Sequence, residues 1–125
     1  MNEGANELWA NAICAVMKSD LIIHANEIES LRSQLLSKKL FFLEFGIETD
    51  ALLKETMNNL QDTSIGAEDH FQIVKEVLEN LKIIDQKKTL SALLKLCISI
   101  AYEVNQLNKK ELVMLSRLEQ QFKKF

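Results

Sequence analysis

The sequence predicts an all-α fold, a single compact bundle of about six or seven helices occupying residues 1–125 as one domain. Three observations lead there. The chain contains no Pro and only three Gly, whereas strand-and-turn architectures draw on both residues for their many tight turns. Its apolar residues recur at the 3.6-residue spacing of amphipathic helices rather than at the alternation of strands. Apolar residues make up 47% of 125 positions and charged residues 26%, so a real core is within reach without disulfides or metal staples.

The first helix is expected over about Glu7 to Lys18. Leu8, Ala12, Ala15 and Val16 share one face, which Trp9, Ile13 and Met17 widen. The second begins near Ala25 and repeats Ile28, Leu31, Leu35 and Leu36. It continues through Phe41 and Phe42 toward Gly46, a residue suited to a left-handed C-terminal cap. The third, about Thr49 to Leu60, carries Leu52, Leu53, Met57 and Leu60. Gln61 to Gly66 collects Asp62, Thr63, Ser64 and Gly66 and reads as a loop.

Glu68 and Asp69 then open a fourth helix, where the dipole favours acids. Its stripe is Phe71, Val74, Val77, Leu78 and Leu81, and His70, beside the two acids, is expected at the surface. A break near Ile84-Asp85 leads to a strongly apolar fifth helix with Leu90, Leu93, Leu94, Leu96, Cys97, Ile100 and Ala101. Apolar on several sides, it is the expected centre of the bundle. The last helix, about Lys109 to Phe122, sets Leu112, Leu115, Leu118 and Phe122 in one stripe.

Charge is unevenly spread. Residues 1–85 hold 7 basic and 15 acidic side chains, and residues 86–125 hold 8 and 3. The basic residues of the C-terminal part (Lys109, Lys110, Arg117, Lys123, Lys124) are dispersed and lack interleaved aromatics, so no nucleic-acid partner is expected. They are expected to complement the acidic part within the fold, with peripheral association to an acidic lipid surface as the other use. The apolar runs are too short for a membrane span, and no leader-like pattern stands at Met1-Asn2-Glu3-Gly4. The expected compartment is therefore the cytoplasm. Cys14 and Cys97 lie in separate apolar runs with no partner at metal-ligand spacing, and read as reduced core residues.

The sequence also matches itself at an offset of 84 residues. Ala12, Ile13 and Val16 fall on Leu96, Cys97 and Ile100. Ile23, Glu27, Ile28 and Leu31 then fall on Leu107, Glu111, Leu112 and Leu115. Each copy reads as helix, short polar loop with one inward apolar residue, and acid-opened helix, an internal helix–loop–helix duplication. With His24 and Asn108 as N-caps, Glu27 and Glu111 sit at the third helical position. From there a carboxylate reaches back to the capping N–H.

At these loops, Ser19-Asp20-Leu21-Ile22-Ile23-His24-Ala25-Asn26-Glu27 and Glu103-Val104-Asn105-Gln106-Leu107-Asn108-Lys109-Lys110-Glu111, the sequence resembles the TerB-like family. That family comprises tellurite-resistance proteins and the related domain of certain membrane-anchored DnaJ-type co-chaperones. Its hallmark is a duplicated helix–loop–helix with an Ala-Asp-Gly start and a Glu opening the next helix. Phe45-Gly46-Ile47 matches its middle section. Leu21 and Asn105 replace the two loop glycines, and Val104 replaces the second Asp. The resemblance implies a helical domain with acidic loops binding a divalent cation such as calcium, in a stress or tellurite-resistance role. The ligands it implies are Asp20, Glu27 and Glu111, with Glu103 standing in for the missing Asp. Hard cations want six or more oxygen ligands, so both loops would have to converge.

No nucleophile–base constellation, phosphate loop or Glu-x-x-His pair occurs, so no enzyme is expected. The second expectation is a metal-independent adaptor that binds another protein through an exposed apolar strip. Trp9, Phe41, Phe42 and Phe125 are its candidates, since aromatics dominate interface hot spots. The competing use of the same residues is core packing.

Overall fold

The computed structural model describes residues 4–20, 25–80, 86–102 and 109–124. Seven helices occupy them, with no strand among the described residues. They are α1 (Ala5–Met17), α2 (Ala25–Ser37), α3 (Lys39–Leu43), α4 (Thr49–Gln61), α5 (Ala67–Asn80), α6 (Gln86–Tyr102) and α7 (Lys109–Lys123). The all-α bundle expected from the sequence is what forms. Leu21 to His24, Leu81, the Ile84-Asp85 break, Glu103 to Asn108 and Phe125 fall outside the described residues.

The centre of the bundle is α1, not α6 as the sequence suggested. Ala5 and every residue from Leu8 to Met17 are buried, and α4, α5, α6 and α7 all pack on this helix. Alanines 10, 12 and 15 explain how one helix takes neighbours on all sides, because small side chains admit close packing. They also hid it, since alanine counts for little in a hydrophobic pattern. In α6, by contrast, Ser91, Lys95 and Ser99 are exposed, which leaves it a wet face.

The long second helix expected up to Gly46 is divided. Lys38 adopts a non-helical conformation between α2 and α3 (φ −125°, ψ 37°). Gly46 then takes φ 76°, with Gly46 N–H donating to Leu43 O (2.9 Å) and Ile47 N–H to Phe42 O (3.1 Å). That pair of bonds is a Schellman stop, with apolar Ile47 and Phe42 at the two positions it joins. Both side chains are buried. Gly46 thus caps a helix as its type predicts, though the helix it caps is short.

The 84-residue offset is followed by burial. Ala12 and Leu96, Ile13 and Cys97, Val16 and Ile100, Glu27 and Glu111, and Leu31 and Leu115 are buried pair by pair. The exception is Ile28, which is half-buried, against exposed Leu112.

Candidate functional site

Of the carboxylates implied as metal ligands, two are enclosed, one is half-buried and one lies outside the described residues. Glu27 and Glu111 open α2 and α7 and are fully enclosed. Asp20 is half-buried just past α1, and all three are engaged with the protein. Glu103 lies outside the described residues, as do residues 21–24 and 104–108 of the two hallmark loops. Among the described residues, no three His, Cys, Asp or Glu side chains gather at metal-binding distance.

The structure assembles instead a buried polar hub that the sequence reading missed. Lys18, at the C-cap of α1, is 9% exposed. Its Nζ donates to three backbone carbonyls, Asn59 O (2.7 Å), Asp62 O (3.0 Å) and Ile65 O (2.7 Å). The fourth neighbour is His70 Nε2 at 2.9 Å. His70 Nδ1 meets Asn11 Oδ1 at 2.7 Å, and Asn11 Nδ2 donates to Glu7 O at 2.8 Å. Because Asn11 spends its amide N–H on Glu7 O, its oxygen faces the ring, so Nδ1 is the protonated nitrogen. Nε2 then faces Lys18 as an acceptor, so that four acceptors share the three N–H groups of the ammonium. The bonds run in one direction from Lys18 to the backbone of α1.

Each partner is delivered by local chemistry. Lys18 lies one turn beyond Cys14 on a buried face. The loop after α4 is closed by Asp62, whose Oδ1 accepts from Ser64 N–H (3.1 Å) and Ser64 Oγ (2.5 Å). These bonds hold the Asp62 carboxyl below its ordinary range. Asp69 caps α5 by accepting from Gly66 N–H at 2.9 Å. That fixes the helix phase, and with it His70. Burial, followed by the adjacent Lys18 charge, depresses His70 to a pKa of about 4. At neutral pH the ring is an uncharged acceptor, as the hub requires.

The expectation of an exposed His70 is therefore corrected: it is fully buried. The signal was present in the spacing. His70 stands one position before Phe71 and four before Val74, inside the stripe that runs to Leu78. The two flanking acids drew it, wrongly, to the surface. For Lys18 no sequence cue existed, because its partners are backbone carbonyls.

The surface carries a second feature, at α2–α3. Leu36, Leu40, Phe41 and Leu43 are exposed, Leu40 by 80% and Phe41 by 47%. Beneath them an aromatic cluster ties α3 to the core. Trp9 meets Phe42 edge-on at 5.7 Å and Phe45 at 6.2 Å. Phe41 packs on Phe42 at 5.3 Å and Phe45 at 5.2 Å. Of the aromatics expected in an interaction strip, Trp9 and Phe42 are core residues, Phe41 is half outside, and Phe125 lies outside the described residues. A cleft of about 210 Å³ runs from Phe41 and Phe42 between α2 and α6, past Ala92 and Leu96, with Lys38 and Lys95 at its edge.

No helix among the described residues is long and apolar enough to cross a membrane. No family model matches the chain, and neither a curated protein nor a solved structure matches it.

Proposed function

We propose that this chain is a non-catalytic, metal-independent helical interaction module that holds another protein against α3 and the neighbouring α2–α6 cleft. The observation that supports it is the pairing of exposed Leu40, Phe41 and Leu43 with a rigid aromatic base at Trp9, Phe42 and Phe45. Three large apolar side chains left largely in water are a standing cost that association recovers, roughly 1.5–3 kcal/mol for each one fully covered. Their fixed base lowers the ordering cost of binding. Lys38 and Lys95 at the cleft edge favour a partner segment that carries an acidic residue beside its apolar anchors.

The placement of the implied ligands also favours a metal-independent reading. Glu27 and Glu111 are enclosed within helices rather than presented from loops.

The test is selection of amphipathic helical peptides from a display library on the folded protein, with the Leu40→Asp variant as counter-target. Enriched peptides should carry apolar anchors at i, i+3 or i+4, and i+7, the pattern of helix-in-groove recognition. Leu40→Asp should weaken them by roughly tenfold or more, the equivalent of about 1.4 kcal/mol. Peptides that bind Leu40→Asp as tightly as the parent would reject this surface.

A further inference from the structure

A separate cleft of about 640 Å³ lies between the start of α5 and the start of α7. Its floor is aliphatic, formed by Ala67, Val113 and Met114. Lys109, Lys110 and Arg117 stand around it. Val113 is 52% exposed although α7 has an ample buried stripe of its own, so it serves no purpose in the core.

The charge around this floor departs from that of the chain. The protein carries a net charge of −3, yet among the described residues the cleft has one carboxylate, Glu68, on its wall. That carboxylate is consumed by Arg117, whose Nη1 and Nη2 donate to it at 2.7 and 2.6 Å. The guanidinium is fixed a second time over the Phe71 ring, 4.1 Å from its centroid. Lys109 and Lys110 are exposed and pair with no carboxylate among the described residues. They also occupy the first turn of α7, the positive end of its dipole, where cations are disfavoured and acids preferred. The fold therefore keeps two lysines where its own stability argues against them, at the rim of an apolar floor.

We infer that this cleft docks an acidic peptide segment of a protein partner, with an aliphatic side chain seated on Val113 and Met114 and its carboxylates facing Lys109 and Lys110. Aliphatic walls fit a peptide better than a nucleic acid, which would want aromatic faces for its bases. An extended acidic segment with one apolar anchor satisfies both halves of the surface. This docking site uses different helices from the α3 surface, so either can fail without the other.

The experiment is an NMR titration of the full chain with an acetylated peptide of alternating Glu and Leu, against a control with Gln at every Glu position. A short oligothymidylate is the third probe. The expected result is saturable amide shifts confined to Ala67–Glu68 and Lys109–Arg117. Affinity should fall with added salt as screening predicts, and drop about tenfold or more for the Gln control and for Lys109→Glu combined with Lys110→Glu. That double variant places acids in the first turn of α7, which suits the dipole, so it retains the fold. Val113→Ser should weaken the peptide without altering the salt dependence. Absence of saturable shifts, equal binding of the Gln control, or tighter binding of the oligothymidylate at the same residues would each overturn the inference.

Discussion

Replacing Lys18 by Met tests the buried hub most directly, because methionine keeps the apolar stem and removes only the donor group. Four acceptors lose it: Asn59 O, Asp62 O, Ile65 O and His70 Nε2. Two of them keep another donor, since Asp62 N–H bonds Asn59 O at 3.2 Å and Ile65 N–H bonds Asp62 O at 3.3 Å. The Ile65 carbonyl and His70 Nε2 are left with none among the described residues. Orphaning the buried His70 Nε2 costs about 1–3 kcal/mol, whereas the Ile65 carbonyl, on a half-buried residue, can turn to water, and all three carbonyls lose a charge-assisted partner. The sum is roughly 2–4 kcal/mol, a large share of the ~6–19 kcal/mol that a domain of this length commands. Urea unfolding followed by circular dichroism should show a midpoint about 1–2 M lower at an unchanged slope. A second readout separates the hub from general loosening. Removing the neighbouring positive charge should raise the His70 pKa from about 4 toward its ordinary 6.5, measured by histidine ring NMR in the folded state. A loss below about 1 kcal/mol with an unmoved His70 titration would refute the account, because the carbonyls would then be satisfied some other way.

Four further outcomes follow from the same geometry. His70 is depressed in the folded state, so the unfolded chain takes up its proton first as pH falls. The associated stability is intact above about pH 6.5 and lost between there and pH 4, about 2–3 kcal/mol in denaturation midpoints across that window. Gly46→Ala forces a side chain into φ 76° and should cost about 1–2 kcal/mol, with weaker binding at α3. Burial pushes the Cys14 and Cys97 thiols up to about 12, so both should react with a thiol reagent only at the rate of unfolding. Titration with calcium should leave the Asp20 and Glu27 amide signals unshifted, and saturable movement there would restore the metal-binding reading.

The helical class was legible because it rests on composition and period, which need no knowledge of neighbours. Gly46 was legible too, as only glycine favours that backbone conformation. The division at Lys38 was not, since Leu35, Leu36, Leu40, Phe41 and Phe42 keep helical spacing across Ser37-Lys38-Lys39, which also hides that Leu36, Leu40 and Leu43 face water. Periodicity says which residues share a face, not whether the bundle covers it. The centrality of α1 was obscured by its alanines, whose contribution is closeness rather than hydrophobic area. Glu27 and Glu111 were found as a pair by the repeat, and the structure buries both. Their spacing favoured a cap, and the ligand role came only from the family resemblance. Lys18 and His70 lie 52 residues apart, and a contact between a lysine and loop carbonyls leaves no mark in the spacing of either.

The hub and the basic cleft meet at one residue. Lys18 borders the cleft floor as well as gripping the α4–α5 loop, yet its three carbonyls and His70 already occupy its donors. It therefore contributes a fixed positive charge to the cleft without being free to pair with a ligand. A buried cation that is well satisfied adds less stability than an apolar residue of the same size would in a repacked core, whereas stripping its partners is costly. On stability alone, an aliphatic residue with a differently closed loop would serve position 18 equally well. What an aliphatic residue would not supply is the rigid attachment of the loop that ends in Gly66 and starts α5. Gly66, Ala67 and Glu68 form one wall of the acidic-peptide cleft, and Glu68 orients Arg117. The same ammonium that closes the fold between α1 and α4 thus sets the position of the wall on which peptide recognition depends. Weak peptide binding in Lys18→Met, measured at a temperature where the variant is fully folded, is the signature of that shared role.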